Sequence, residues 1–267
     1  MDKKVWYVTG VSKGLGLALI NRLLWEGHRV AAVSAPGLGR PGGGDAGVVP
    51  GAVPPHPSFL PLEADLANEQ SVADSIRKTC EAFGRIDVVV TNAGYGLGAP
   101  VAHIITVIQK AMPRLRAQRS GHIINIAPIT GVTIGTPHGH AFYAAARQAI
   151  LDLSVTLAED VQQLGIRVTA VLSDGFHTQS FAGKALRAKA GALGTLSTPG
   201  TPQPWYLSVD GRQPGDPGKA AEALLRIATT SEPPGLVYFT SQAYKAAAEK
   251  MTLFRRVITS RQCATSF

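Results

Sequence analysis

Cysteine is nearly absent from this chain: there are two in 267 residues, Cys80 and Cys263, far apart and without a CxxC pair. That excludes a disulfide framework and a thiolate zinc site, and it makes a reducing, cytoplasmic setting the expectation, with no metal site. No apolar run approaches the roughly 18 residues of a membrane span. The opening MDKKVWYVTG runs straight into a strand pattern, so neither a membrane segment nor a signal peptide is expected. Acidic residues are scarce beside basic ones, 18 against 26, for a formal charge of +8. The cations are scattered, with no basic stripe and no interleaved aromatics, which argues against nucleic acid as a partner. An anionic small ligand is the expected alternative.

What the chain has in quantity is apolar residues, 45%, enough for one α/β domain over residues 1–267 with a full core. Strand-like runs at 4–10, 28–35, 58–66, 86–94, 121–128, 166–175 and 235–241 alternate with helix-like runs at 15–27, 68–82, 101–118, 141–164 and 217–230. This alternation is the pattern of a parallel sheet covered on both faces. Residues 35–57 are so dense in glycine and proline that a flexible insertion is expected there, and 173–215 reads as a loop region over the substrate.

The first strand ends in TGVSKGLG, Thr9 to Gly16. Glycines at 10, 14 and 16 between a strand and a helix let the backbone turn tightly and bring helix N–H groups against a pyrophosphate. The cofactor-binding candidates in this loop are Gly10, Ser12, Lys13, Gly14, Leu15 and Gly16. Alone, such a loop is equally an ordinary strand-to-helix turn. Asp65 after the third strand and TNAG (91–94), with Asn92, after the fourth also fall at strand C-terminal ends, so all of these converge on the edge where open α/β sheets bind ligands. Further along, HAFYAAARQAI (140–150) sets Tyr143 and Arg147 one helical turn apart within an apolar stretch. Taken alone, that pair is equally a buried tyrosine beside a surface arginine.

In this order the motifs resemble those of the short-chain dehydrogenase/reductase family, and the resemblance covers nearly the whole chain. TGVSKGLG is similar to its TGxxxGxG cofactor loop, ADL with Asp65 to its adenine-side acid, TNAG to its NNAG motif and YAAAR to its YxxxK active-site pair. The residues 210–225 look like the C-terminal region of bacterial and fungal oxidoreductases and ketoreductases of that family. The resemblance implies a Rossmann-type doubly wound parallel sheet in a single domain. It also implies a nicotinamide cofactor and a tyrosine, Tyr143, that exchanges a proton with the substrate oxygen. Arg147 stands where the family has a lysine that holds the nicotinamide ribose and lowers the tyrosine pKa. It keeps the charge but replaces a compact ammonium with a planar fork of fixed donors.

Other positions depart from the family pattern. Ala127 and Pro128 occupy the usual serine positions and bring no side-chain donor. Thr130 is the candidate substitute and Thr133 a second hydroxyl nearby, though both are also expected as strand-end residues bonding to local backbone. His138 and His140 read as a proton relay, as metal ligands or simply as a polar loop. Between TNAG and GHIINI, residues 95–120 leave room for a crossover with one helix, where the family has a longer passage. The family's relay asparagine therefore has no counterpart, and the helix that builds its dimer is shortened, which puts homo-oligomerisation in question. Asp174 replaces the proline of the family's PG motif. At the end of the second strand stand Ser34 and Ala35, with no acid to bond a ribose 2′-OH. With Lys13 in the loop and Arg40 close by, NADP is expected over NAD.

Two functional classes follow. One is an NADP(H)-dependent reductase or dehydrogenase that interconverts a carbonyl and an alcohol on a small organic substrate, with Tyr143 as acid/base, Arg147 as its electrostatic partner and Thr130 as helper. The other is a non-redox relative that binds NADP and serves as an isomerase, a dehydratase or a scaffold, or a chain left inactive by its short crossover. The loss of serine, lysine and asparagine together points to this second class.

Overall fold

In the computed structural model, which describes residues 2–36, 56–92, 101–128, 141–173 and 215–259, the apolar runs pair into one parallel sheet. The strands are β1 (Val5–Thr9), β2 (Arg29–Ser34), β3 (Phe59–Glu63), β4 (Val88–Thr91), β5 (Gly121–Pro128), β6 (Ile166–Ser173) and β7 (Leu236–Tyr238), in the spatial order β3-β2-β1-β4-β5-β6-β7. All six pairings are parallel. A sheet buried on both faces needs continuous apolar strands in place of alternating ones. VWYVT in β1 meets that need, with all five residues buried.

Side chains still alternate between the two faces, because the strand period is two. Tyr7, Ala31, Val89 and Ile123 point into one core, shared with helices α2 (Glu69–Phe83), α3 (Val101–Gln118), α4 (Ala141–Val161) and α6 (Ser241–Thr259). Trp6, Val8, Ala32, Val88 and Ile124 point into the other, shared with α1 (Gly14–Trp25) and α5 (Pro217–Thr229). Tyr7 is a structural tyrosine. Its hydroxyl meets Ser75 Oγ at 2.7 Å, and burial pushes its pKa up to about 12.

Local chemistry explains where the helices begin. The Asn68 side chain accepts from the Gln70 and Ser71 amides at 3.0 and 3.1 Å to open α2. Asp216 accepts from Gly218 and Lys219 to open α5, with Pro217 in the first turn. Such caps satisfy amides that have no partner inside the helix. Helix α3 spans the expected 101–118. Helix α4 stops at Val161, earlier than the expected 164, and a 3-10 turn over Gln162–Leu164 completes the stretch. Strand β7 is three residues long, against the seven expected, because only Leu236–Tyr238 find partners on β6. Helix α6 was not anticipated, although AYKAAAEKM is rich in strong helix formers.

Strand β1 lies third in the sheet, beside the central strand β4. The chain winds outward from it through β2 and β3, then crosses back to β4 on its other side. A crevice therefore opens between the C-terminal ends of β1 and β4, where the winding direction reverses. Among the described residues no helix is long and apolar enough to cross a membrane.

Candidate functional site

Thr9 closes β1 and Asn92 follows β4, on either side of the crevice. The Asn92 amide donates to Thr9 Oγ1 at 3.1 Å, and its side-chain Nδ2 donates to the Gly10 carbonyl at 2.9 Å. The loop is thus tied to both strands. Gly16, in the first turn of α1, faces this junction. A Cβ there would lie 2.2 Å from the Gly10 carbonyl oxygen and 2.8 Å from Asn92 Nδ2, so only glycine lets helix and loop approach so closely. Gly14 opens the helix at φ 61°, a left-handed conformation that side chains resist.

The N-terminus of α1 remains electrostatically open. Lys13, its N-cap, makes no side-chain capping bond, and the first turn holds no acidic residue. Among the described residues no side chain caps the first-turn amides, and these with the positive end of the helix dipole suit an anion. Asn92 is 5% exposed, and its Oδ1 finds no hydrogen-bond partner among the described residues. A buried polar atom in that state is costly without a ligand or water to satisfy it. Glycine cradle, open helix end and orphaned oxygen together fit a dinucleotide lying across the crevice.

Helix α4 returns the chain from β5 to β6, so it begins at this same edge. Arg147, Ile150 and Ser154 fall on one face of it, and all three are buried, Arg147 at 2% exposure. Arg147 is therefore no surface arginine. Its face is anchored to the sheet by Ser154 Oγ, which accepts from Asn125 Nδ2 at 2.9 Å and donates to the Ile150 carbonyl. Asn125 Oδ1 in turn accepts from Thr91 Oγ1 at 2.7 Å. Sequence reasoning noted Thr91 only as part of TNAG and missed Asn125 and Ser154, although an asparagine inside the apolar run IINIA signals a buried polar partner.

The other sequence-derived candidates fall as follows. Leu15 is fully buried in the core beneath α1, so its backbone amide is the part that can serve a ligand. Ser12 and Lys13 are half-buried at the loop. Asp65 is exposed just beyond β3, where its Oδ1 accepts from the Ala67 amide at 3.0 Å. Ser34 ends β2 beside it and accepts the Ala64 amide through its carbonyl. Ala127 is fully buried. Tyr143 lies in the first turn of α4, one turn before Arg147, and its side chain is outside what is described. Arg40, Thr130, Thr133, His138, His140 and Asp174 lie outside the described residues, as do 37–55 of the glycine- and proline-rich insertion and 174–214 of the substrate-loop region.

A seven-stranded parallel sheet of this order, with a glycine-lined turn at its switch point, defines a Rossmann-type doubly wound fold. Residues 4–107 and 100–188 match the short chain dehydrogenase family, and the chain belongs to that family. Oxidoreductase BOA17 of Botryotinia fuckeliana is 29% identical over 252 residues, 86% of either chain. A short-chain dehydrogenase/reductase of Burkholderia phymatum, solved with NAD, superposes at a TM-score of 0.72 and 17% identity, over 100% of this chain and 98% of that one. One from Burkholderia cenocepacia, solved with NADP, gives 0.66 and 19% over 97% of each.

Proposed function

We propose that this chain is an NADP(H)-dependent oxidoreductase that interconverts a carbonyl and an alcohol on a small organic substrate. The observation that carries the proposal is the cradle at Gly16, closed by Gly10 and Asn92 and left with a buried, unsatisfied Asn92 Oδ1. The amides of Ser12 to Gly16 would hold the pyrophosphate, and Asp65 the adenine end. Lys13, together with the absence of an acid at the end of β2, favours the 2′-phosphate of NADP over NAD. Bound in the crevice, the nicotinamide supplies or takes the hydride.

The chain's own residues do the rest. Tyr143 gives a proton to the substrate oxygen in reduction and takes it in oxidation. Arg147, buried one helical turn on, holds the nicotinamide ribose and favours tyrosinate through its charge. Burial strengthens that effect, because a cation shielded from water acts through a lower dielectric. Thr130 takes the place of the family's serine in bonding the substrate oxygen.

A second reading rests on the usual serine positions, which hold Pro128 and Ala127, the latter with its methyl sealed in the core. On that reading the protein binds NADP without redox chemistry. One experiment separates the two: titrate the purified protein with NADPH and NADH by fluorescence, then follow NADPH oxidation with a panel of ketones and diketones. Binding with oxidation supports the first reading, and binding without it the second. Folded protein that binds neither cofactor overturns both.

A further inference from the structure

Thr91, Asn125 and Ser154 form a buried polar chain with fixed direction. Thr91 Oγ1 donates to Asn125 Oδ1, Asn125 Nδ2 donates to Ser154 Oγ, and Ser154 Oγ donates to the Ile150 carbonyl, at 2.7, 2.9 and 2.6 Å. Their exposures are 1%, 0% and 1%, so each link is made in surroundings where an unmade bond is expensive. The two ends of the chain matter most. Thr91 immediately precedes Asn92, the residue that grips the Gly10 carbonyl and Thr9 Oγ1. Ser154 lies two helical turns from Arg147 on the same buried face of α4.

We propose that Asn125 and Ser154 are positioning residues, which set the height of α4 on the sheet and so place Arg147 relative to the loop that Asn92 holds. This rests on the reading of Arg147 as a ribose-binding cation. Asparagine suits the task because its amide offers one acceptor and one donor on opposite sides. It can therefore answer a hydroxyl donor on β4 and a hydroxyl acceptor on α4 together. An apolar residue of similar size would fill the space but leave α4 free to slide along the strands, since the surrounding Ile and Val contacts have no direction. Thr91 opens the TNAG stretch, but the motif resemblance gives Asn125 and Ser154 no role.

The test is a set of mutant cycles read as NADPH affinity. Ser154→Ala removes the link to α4. It should weaken NADPH binding about 5- to 10-fold in the wild-type background and less than twofold when Arg147 is already alanine, because its effect passes through that cation. With Lys13→Ala as the second change, the full 5- to 10-fold loss should persist, and Ser154→Thr, which keeps the hydroxyl, should restore affinity. Should Ser154→Ala fail to fold, Thr91→Val breaks the chain at its other end with little change of shape, and the same cycles apply. An equal loss in all three backgrounds marks a general structural role and overturns the proposal while leaving the cofactor reading intact. A folded wild type that binds no NADPH overturns the cofactor reading and this inference with it.

Discussion

His122 gives the sharpest quantitative expectation. It lies near the start of β5, at the sheet edge opposite the cofactor loop, 5% exposed in a cleft of about 530 Å³ lined also by Lys4, Arg85, Asp87 and Arg167. Its Nε2 is 2.9 Å from Thr169 Oγ1, which itself donates to the Pro234 carbonyl at 2.8 Å. The threonine proton being used, the ring must donate from Nε2, and the neutral ring already satisfies that bond. A second proton would bring charge into a buried site that faces Lys4 and Arg167. Of the two acids that line the cleft, Asp2 and Asp87, the second is held by Arg85 and the Val5 amide. Burial first, then the two cations, press the His122 pKa down from 6.5 to about 4.

The sign follows from proton linkage. The folded state binds this proton more weakly than the unfolded chain does. The stabilisation is therefore complete above about pH 6.5, is lost as pH falls from there towards 4, and stays lost below. At 1.36 kcal/mol per pKa unit the full effect is about 3 kcal/mol, of which about 2 kcal/mol has gone by pH 5. Urea unfolding at pH 7.5 and pH 5.0, in wild type and in His122→Gln, measures it. Glutamine keeps a donor towards Thr169 but cannot titrate, and the carboxylates contribute equally to both proteins. Wild type should lose about 2 kcal/mol more than the variant between the two pH values. Equal losses would refute the picture of a buried neutral ring between two cations.

The other expectations concern the site. Gly16→Ala should cost about 2 kcal/mol or more of stability, because its Cβ meets backbone that cannot step aside, and should weaken NADPH binding severely; unchanged urea midpoint and affinity would contradict the cradle. Lys13→Ala should lower NADPH affinity by about 1 to 3 kcal/mol, as for a charge-assisted hydrogen bond, and leave NADH nearly unchanged, whereas equal losses for both cofactors reject the 2′-phosphate contact. Tyr143→Phe should abolish single-turnover oxidation of NADPH with a reactive diketone while preserving cofactor binding, and Arg147→Lys should retain or raise turnover; oxidation that survives in Tyr143→Phe places the active site elsewhere.

Much of the architecture was legible from one dimension. VWYVT, RVAAVS and VVVT carry continuous apolar runs, VWYV, VAAV and VVV, which a parallel sheet buried on both faces requires, and α3 occupies the residues that its periodicity marks. Glycine at 10, 14 and 16 also announced a tight turn, because few other reasons place three glycines between a strand and a helix. Helix α6 was legible by propensity and still missed, since its alanines carry little periodic contrast.

Other features depended on residues distant in the chain meeting in space. Nothing in YAAAR tells whether Arg147 faces water or the interior. Its burial follows from α4 lying on β5 and β6, as fixed by contacts such as Asn125 with Ser154, 29 residues apart. The depressed pKa of His122 likewise comes from its burial first and then from Lys4 and Arg167, which the sheet order brings to one edge. The orphaned oxygen of Asn92 appears only once its other atoms are committed to Thr9 and Gly10, more than 80 positions away. Local sequence determined the elements, because hydrophobic period, caps and turn glycines act over a few residues. Tertiary structure decided which polar groups are buried, and against what, because burial is a property of neighbours that the chain brings together only when folded.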